Sequence, residues 1–147
     1  IVRTYFTADG KEISIPQNYM DALGSTQLLD NKFLLTLNGA DGKTYFTLLD
    51  LADGSTFDPV LIPDSPRVVA QNGSVLAICS LSKSFRIYSV ENGTELDAFD
   101  IPGTDNYSVR YIFFSGNYLI IYCYDDSYNN EDFLYHVYSL SDSALII

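Results

Sequence analysis

Phe85-Arg86-Ile87-Tyr88-Ser89-Val90-Glu91-Asn92-Gly93-Thr94-Glu95-Leu96 reads as a strand, a tight turn and the start of a second strand. Aromatic and β-branched side chains alternate with smaller or polar ones, which suits a half-buried pleated surface. The Asn-Gly pair then supplies the positive φ that a hairpin turn requires. The pattern recurs along the chain. Phe46-Thr47-Leu48-Leu49-Asp50-Leu51-Ala52-Asp53-Gly54-Ser55-Thr56-Phe57 follows it position for position. Tyr135-His136-Val137-Tyr138-Ser139-Leu140-Ser141-Asp142-Ser143-Ala144-Leu145 follows it with Ser143 in the glycine position, and Tyr5-Phe6-Thr7-Ala8-Asp9-Gly10-Lys11-Glu12-Ile13 is a weaker copy. Three copies run on into Ile-Pro, at Ile15-Pro16, Ile62-Pro63 and Ile101-Pro102.

A second hairpin lies between the copies: Leu28 to Leu35 around Asp30-Asn31, Val69 to Leu76 around Asn72-Gly73, and Phe113 to Leu119 around Ser115-Gly116. Phe33 to Val75 is 42 residues and Val75 to Tyr118 is 43. Such a period is the mark of a repeat architecture whose units each hold two hairpins, hence four strands. The nearest approach to a helix, Tyr19 to Leu23, is too short to matter. The expected fold is therefore all-β, with two strands at the start followed by three sets of four.

With its period and its strand–turn motif, the chain resembles WD-repeat and quinoprotein-like β-propellers over nearly its whole length. Tyr88-Ser89 and Tyr138-Ser139 stand where the Trp-Asp pair of that motif would be. The resemblance implies four-stranded antiparallel blades, about three and a half of them here. A closed propeller needs roughly four to eight, so residues 1–147 are expected to form a single propeller segment of a larger ring, completed by further blades of the same chain or by a second copy. The chain starts at Ile1 without Met and stops in Ala144-Leu145-Ile146-Ile147, and the same expectation extends to both ends, as cut from something longer. No Trp is present. The docking motif of quinoprotein blades is thus missing, and no quinone or other cofactor is expected.

Nineteen acidic against eight basic residues leave a net charge of −11, a field that repels a phosphate backbone or an anionic membrane surface. Nucleic acid is therefore not an expected partner. No run of residues approaches the roughly 20 apolar positions of a membrane helix, so membrane insertion is not expected either. His136 is the only histidine, which rules out paired-histidine metal motifs. It shares a mid-strand column with Thr47 and Arg86, where a structural role is expected. No Gly-x-Ser-x-Gly turn, phosphate-binding glycine loop or Cys-x-x-Cys pair occurs. Cys79 and Cys123 fall one residue out of register on successive second strands, so opposite sheet faces and two buried, unlinked thiols are expected. Asn72-Gly73-Ser74, Asn92-Gly93-Thr94 and Asn106-Tyr107-Ser108 match the glycosylation pattern, but in a chain this rich in Asn, Ser and Thr they read as turn chemistry. An extracytoplasmic or secreted location is the favoured expectation.

Antiparallel blades place their first-to-second and third-to-fourth turns at one end, and their second-to-third and inter-blade connections at the other. The first group is short and uniform. The second is long and variable, and variable loops on a rigid scaffold are where binding residues concentrate. The candidate ligand-binding face therefore holds Tyr19, Asp21, Asp41, Asp64, Arg67, Asp105, Tyr107 and Tyr128. Asp125, Asp126, Glu131 and Asp132 supply hard oxygen ligands of the kind calcium takes, although their spacing lacks the glycine and alternation of an EF-hand, and a solvated acidic loop is the blander reading. The functional expectation is a non-enzymatic scaffold binding a protein or glycan, with exposed tyrosines as contacts. The rival is a propeller enzyme acting on a glycan or lactone whose catalytic residues lie outside this segment.

Overall fold

The computed structural model describes residues 5–6, 9–10, 12–13, 19–21, 27–29, 32–64, 66–102, 106–125 and 133–147, and among these residues every regular element is a strand. The chain divides into two compact units. The first comprises Ile1–Ser65 with Val90–Gly93, and the second Pro66–Ser89 with Thr94–Ile147.

In the first unit, β1 (Tyr5–Phe6) and β2 (Glu12–Ile13) form an antiparallel hairpin. The next sheet is built on β5 (Lys32–Gly39), flanked by β6 (Thr44–Asp50) and then β7 (Val60–Ile62). Its other edge is shared by two short pieces: β4 (Gln27–Leu29) pairs with Lys32–Leu34, and β3 (Tyr19–Asp21) with Leu37–Gly39. The sheet is thus four positions wide. Tyr19 and Asp21, expected in a loop or near a helical turn, are strand residues instead. The cause lies in β5: three residues of β4 cannot satisfy the backbone groups of an eight-residue strand, and β3 supplies partners for its far end. At the centre, Leu34–Leu37 and Phe46–Leu49 are all buried, an unbroken run that marks a sheet covered on both faces. The buried Thr47 hydroxyl donates to the Phe57 carbonyl at 2.7 Å, and the Phe57 ring meets Phe46 edge-on at 5.8 Å.

The second unit holds two four-stranded antiparallel sheets. One runs in the order β11 (Glu95–Asp100), β10 (Ser84–Ser89), β9 (Val75–Ser80), β8 (Pro66–Asn72). The other runs β12 (Tyr107–Ser115), β13 (Tyr118–Asp125), β14 (Phe133–Ser139), β15 (Ala144–Leu145). All strands are joined sequentially, as expected. The registers also refine the repeat. Lys32 pairs with Leu29, Val75 with Asn72 and Tyr118 with Ser115, each pair with two residues between its members, so the equivalent positions are Lys32, Val75 and Tyr118, spaced 43 and 43 residues apart. The expected strand equivalence holds, but Phe33 sits one residue past the true equivalent of Val75. Its large apolar side chain resembles that of Val75, whereas the turn sets the register.

The two sheets of the second unit share one core: Ala70, Ala77, Cys79, Phe85 and Ile87 from the first sheet with Val109, Ile112, Leu119, Ile121, Cys123 and Tyr138 from the second. The small Ala70, Ala77 and Cys79 of the first sheet share this core with the larger Leu119, Ile121 and Tyr138 of the second. Phe85, Phe99 and Tyr138 stack in sequence at 5.0 and 4.1 Å between ring centroids, and the Tyr138 hydroxyl donates to the Asp97 carboxylate. Such stacks add about 0.5–1.5 kcal/mol per pair beyond the area they bury. Cys79 and Cys123 are buried and unlinked, as expected. The reason given for it does not hold, however. Opposite faces of successive sheets are the two that meet, so the one-residue offset brings both thiols into the same core. There burial pushes the Cys79 thiol up to about 12, with Cys123 adding to the shift.

Candidate functional site

The second-to-third strand turn of the first sheet, Ala40 to Lys43, lies at the variable-loop end of that sheet. The Gly39 amide donates to the Lys43 carbonyl at 2.8 Å, and the Gly42 amide donates back to Gly39 at 3.0 Å, with Gly42 at φ +78°. Asp41 clamps the loop: one carboxylate oxygen accepts the Lys43 amide at 3.0 Å and the other the Tyr45 hydroxyl at 2.6 Å. Those contacts, Tyr45 first and then Lys43, hold the Asp41 carboxyl below its usual range. A Cβ on Gly39 would stand 2.6 Å from both Asp41 and the Tyr45 ring.

Beside this turn, Gly42, Lys43 and Thr44 together with Leu61, Ile62, Pro63 and Asp64 line an open depression of about 380 Å³. An ammonium, a carboxylate and the apolar surface of Leu61 and Pro63 thus meet in one concavity. Lys43, Leu61 and Pro63 were not singled out in the sequence. The signal available was that the turn ending at Lys43 and the Ile62-Pro63 junction lie at the same end of their sheet.

The remaining sequence candidates scatter. Arg67 occupies a bulge in β8 between Pro66 and Val68, and its Nε donates to the Val109 carbonyl at 3.3 Å. Tyr107 opens β12 and is half-buried, paired with Asp125 at the end of β13. Asp125 is therefore no part of a solvated loop: it is a strand residue only 6% exposed. Tyr19 and Asp21 pair through β3 with Gly39 and Leu37, next to the Asp41 turn in sequence. Asp105, Asp126, Tyr128, Glu131 and Asp132 lie outside the described residues. Among the described residues, no three His, Cys, Asp or Glu side chains group as metal ligands. His136 is a mid-strand residue of β14 paired with Ile121, and its Nδ1 lies 3.2 Å from the Ile147 carbonyl. No helix among the described residues is long and apolar enough to cross a membrane.

At the opposite end of the strands, the glycine column behaves as the repeat requires. Gly54, Gly73, Gly93 and Gly116 all have positive φ, and Ser143, which replaces glycine in the last copy, adopts φ +50°.

No family profile and no curated protein matches the sequence. Solved structures do. The chain is similar to HIRA(644-1017) at 11% identity with a TM-score of 0.57, over 90% of this chain and 38% of that one. It is similar to a europium-containing methanol dehydrogenase at 7% identity and a TM-score of 0.61, over 99% of this chain and 26% of that one. It is also similar to a chain of the S. cerevisiae assembly in which Dbp5 is bound to Nup159 and Gle1, at 14% identity and a TM-score of 0.54, over 92% and 38%. These are β-propeller structures, and the likeness establishes the fold: the chain is built of four-stranded propeller blades, strongly diverged in sequence. It spans between 26% and 38% of the length of these structures.

Proposed function

We propose that the chain is a non-enzymatic binding scaffold that presents the variable-loop end of its blades to a protein or glycan. The observation that carries this reading is the depression between Gly42–Thr44 and Leu61–Asp64. A concave, mostly preformed site that mixes apolar lining with a few placed charges is what ligands take, and the Asp41 clamp holds one wall in place before any ligand arrives. Lys43 and Asp64 would pair with complementary charges, while Leu61 and Pro63 would seat an apolar side chain or a sugar face. The other sequence candidates, Tyr19, Asp21, Arg67, Asp105, Tyr107 and Tyr128, are proposed as further ligand contacts. The acidic excess of the chain favours a partner whose matching face is basic.

Peptide and glycan arrays probed with the native protein and with Lys43→Glu and Asp64→Lys test this reading. The expected result is a ligand class bound by the native protein and weakened about tenfold or more by either substitution, with unchanged circular dichroism. Ligands that ignore both substitutions would overturn the placement. Turnover of a glycan or lactone would overturn the non-enzymatic assignment.

A further inference from the structure

Three sheets present the same two rows of side chains on the same face, aligned by their equivalent turns. In the first sheet the rows are Thr36–Phe46 and Leu34–Leu48, all buried. In the second they are Val68–Cys79–Phe85 and Ala70–Ala77–Ile87, buried or half-buried. In the third they are Tyr111–Tyr122–Tyr135 and Phe113–Ile120–Val137, and here Tyr111, Phe113 and Tyr135 are 46%, 43% and 44% exposed. Tyr124 and Phe133 continue the open surface. The rings already form a platform, with Tyr111 stacked on Tyr122 at 4.7 Å and Tyr122 beside Tyr135 at 5.1 Å and Phe133 at 5.5 Å. Contiguous apolar patches of this kind mark a surface that something covers.

We propose that the open face of the β12–β15 sheet is a blade-to-blade interface, covered in the native protein by a further four-stranded sheet of the same polypeptide. The second unit shows how the contact is made: these same rows on the β8–β11 sheet receive the Leu119, Ile121 and Tyr138 face of the sheet that follows in the chain. That precedent also specifies the occupant. Sheets pack about 10 Å apart, and small Ala70, Ala77 and Cys79 leave room there for large partners. On the open face tyrosine and phenylalanine fill the rows, so the covering sheet carries small side chains at its central positions and polar groups that bond the tyrosine hydroxyls.

Nitration of tyrosine by tetranitromethane, read residue by residue by mass spectrometry, tests this in the protein expressed from its native reading frame. Tyr111, Tyr122 and Tyr135 are expected to react at least about tenfold more slowly than in the urea-denatured protein, as groups reached only by opening do, at every protein concentration. Fast reaction at all concentrations would show a free face and overturn the proposal. Protection that disappears on dilution, together with a halving of mass, would identify a second copy as the occupant and overturn it equally. In the same protein Tyr122→Asp is expected to lower the denaturation midpoint, and an unchanged midpoint would count against a covered face; if the variant does not fold, the nitration result stands alone.

Discussion

The strands β5 and β13 are both rich in large apolar residues, yet they are buried differently. Four consecutive residues of β5, Leu34 to Leu37, are buried, whereas in β13 burial alternates: Leu119, Ile121 and Cys123 are sealed while Tyr118 and Tyr124 are 47% and 43% exposed. The first pattern belongs to a sheet covered on both faces, the second to a sheet covered on one. Composition does not distinguish them. In Tyr118-Leu119-Ile120-Ile121-Tyr122-Cys123-Tyr124 both faces are apolar, as in a doubly covered strand, so the difference lies in what surrounds the sheet and not in what the strand is made of.

The comparison is broken most directly on β12 to β14. In the 147-residue chain, Tyr138→Ala removes a side chain that is 1% exposed, stacked on Phe99 and bonded to Asp97, and is expected to cost about 3–5 kcal/mol in urea unfolding. Phe113→Ala, on the other face of the same sheet and 43% exposed, is expected to cost under about 1 kcal/mol. Equal losses would mean that both faces of that sheet are covered in this chain and would end the distinction drawn from burial.

Most of the architecture was legible because turn chemistry and period are local properties. The strand order, the glycine column and even Ser143 in that column follow from residues within a few positions of each turn. What was not legible depended on long-range geometry. The outer strand of the first sheet is split into β3 and β4, which no local pattern at Tyr19-Met20-Asp21 announces, because its pairing is dictated by the length of β5. The one-residue error at Phe33 arose from matching apolar character where the turn sets register. The two cysteines were assigned to opposite faces correctly, but which faces meet is a fact about neighbouring sheets. At the candidate site, loop membership was readable in the sequence; the depression was not, because Leu61 and Pro63 look like ordinary strand-end residues until the neighbouring turn is placed beside them.

The glycine column sharpens the comparison at a single position in each hairpin. Gly93 has φ +74°, and a Cβ there would stand 2.7 Å from both the Phe57 ring and a Val60 methyl. Gly93→Ala therefore combines left-handed strain with overpacking and is expected to cost about 2–4 kcal/mol. Gly73, at φ +53°, has open space around the same direction, so Gly73→Ala should show the backbone strain alone, about 1–2 kcal/mol. In the last hairpin the sign reverses: Ser143→Gly relieves φ +50° and is expected to stabilise by about 0.5–1 kcal/mol after the entropy cost of glycine. Thermal or urea unfolding of the three variants reads the series. A loss for Gly93→Ala no larger than that for Gly73→Ala would show that the Phe57 and Val60 side chains yield.

The smallest expected effect separates the same two regions by pH. Turns of the first sheet are closed by carboxylates: Asp41 accepts the Tyr45 hydroxyl and the Lys43 amide, Asp50 the Ala52 amide at 2.8 Å and the Lys32 ammonium at 3.0 Å, and Asp53 the Ser55 amide at 2.8 Å. The last hairpin is closed by a neutral group instead, the Ser139 hydroxyl accepting the Asp142 amide at 3.2 Å. All three carboxyls are held below the usual value of 3.8, Asp41 chiefly by Tyr45, Asp50 by the Ala52 amide and Asp53 by Ser55. A carboxyl that is more acidic in the folded chain than in the unfolded one contributes its full share of stability above 3.8, and that share is lost as the pH falls below 3.8 and through the folded value. Acid should therefore loosen the turns of the first sheet while leaving the β14–β15 pairing unchanged. In a two-dimensional amide NMR titration, the Lys43, Ala52 and Ser55 resonances are expected to move with inflections below pH 3.8, and Leu145 to hold still over the same range. Inflections at or above 3.8 would show that the carboxylates do not hold these turns, and parallel movement at Leu145 would show that acid does not tell the two regions apart.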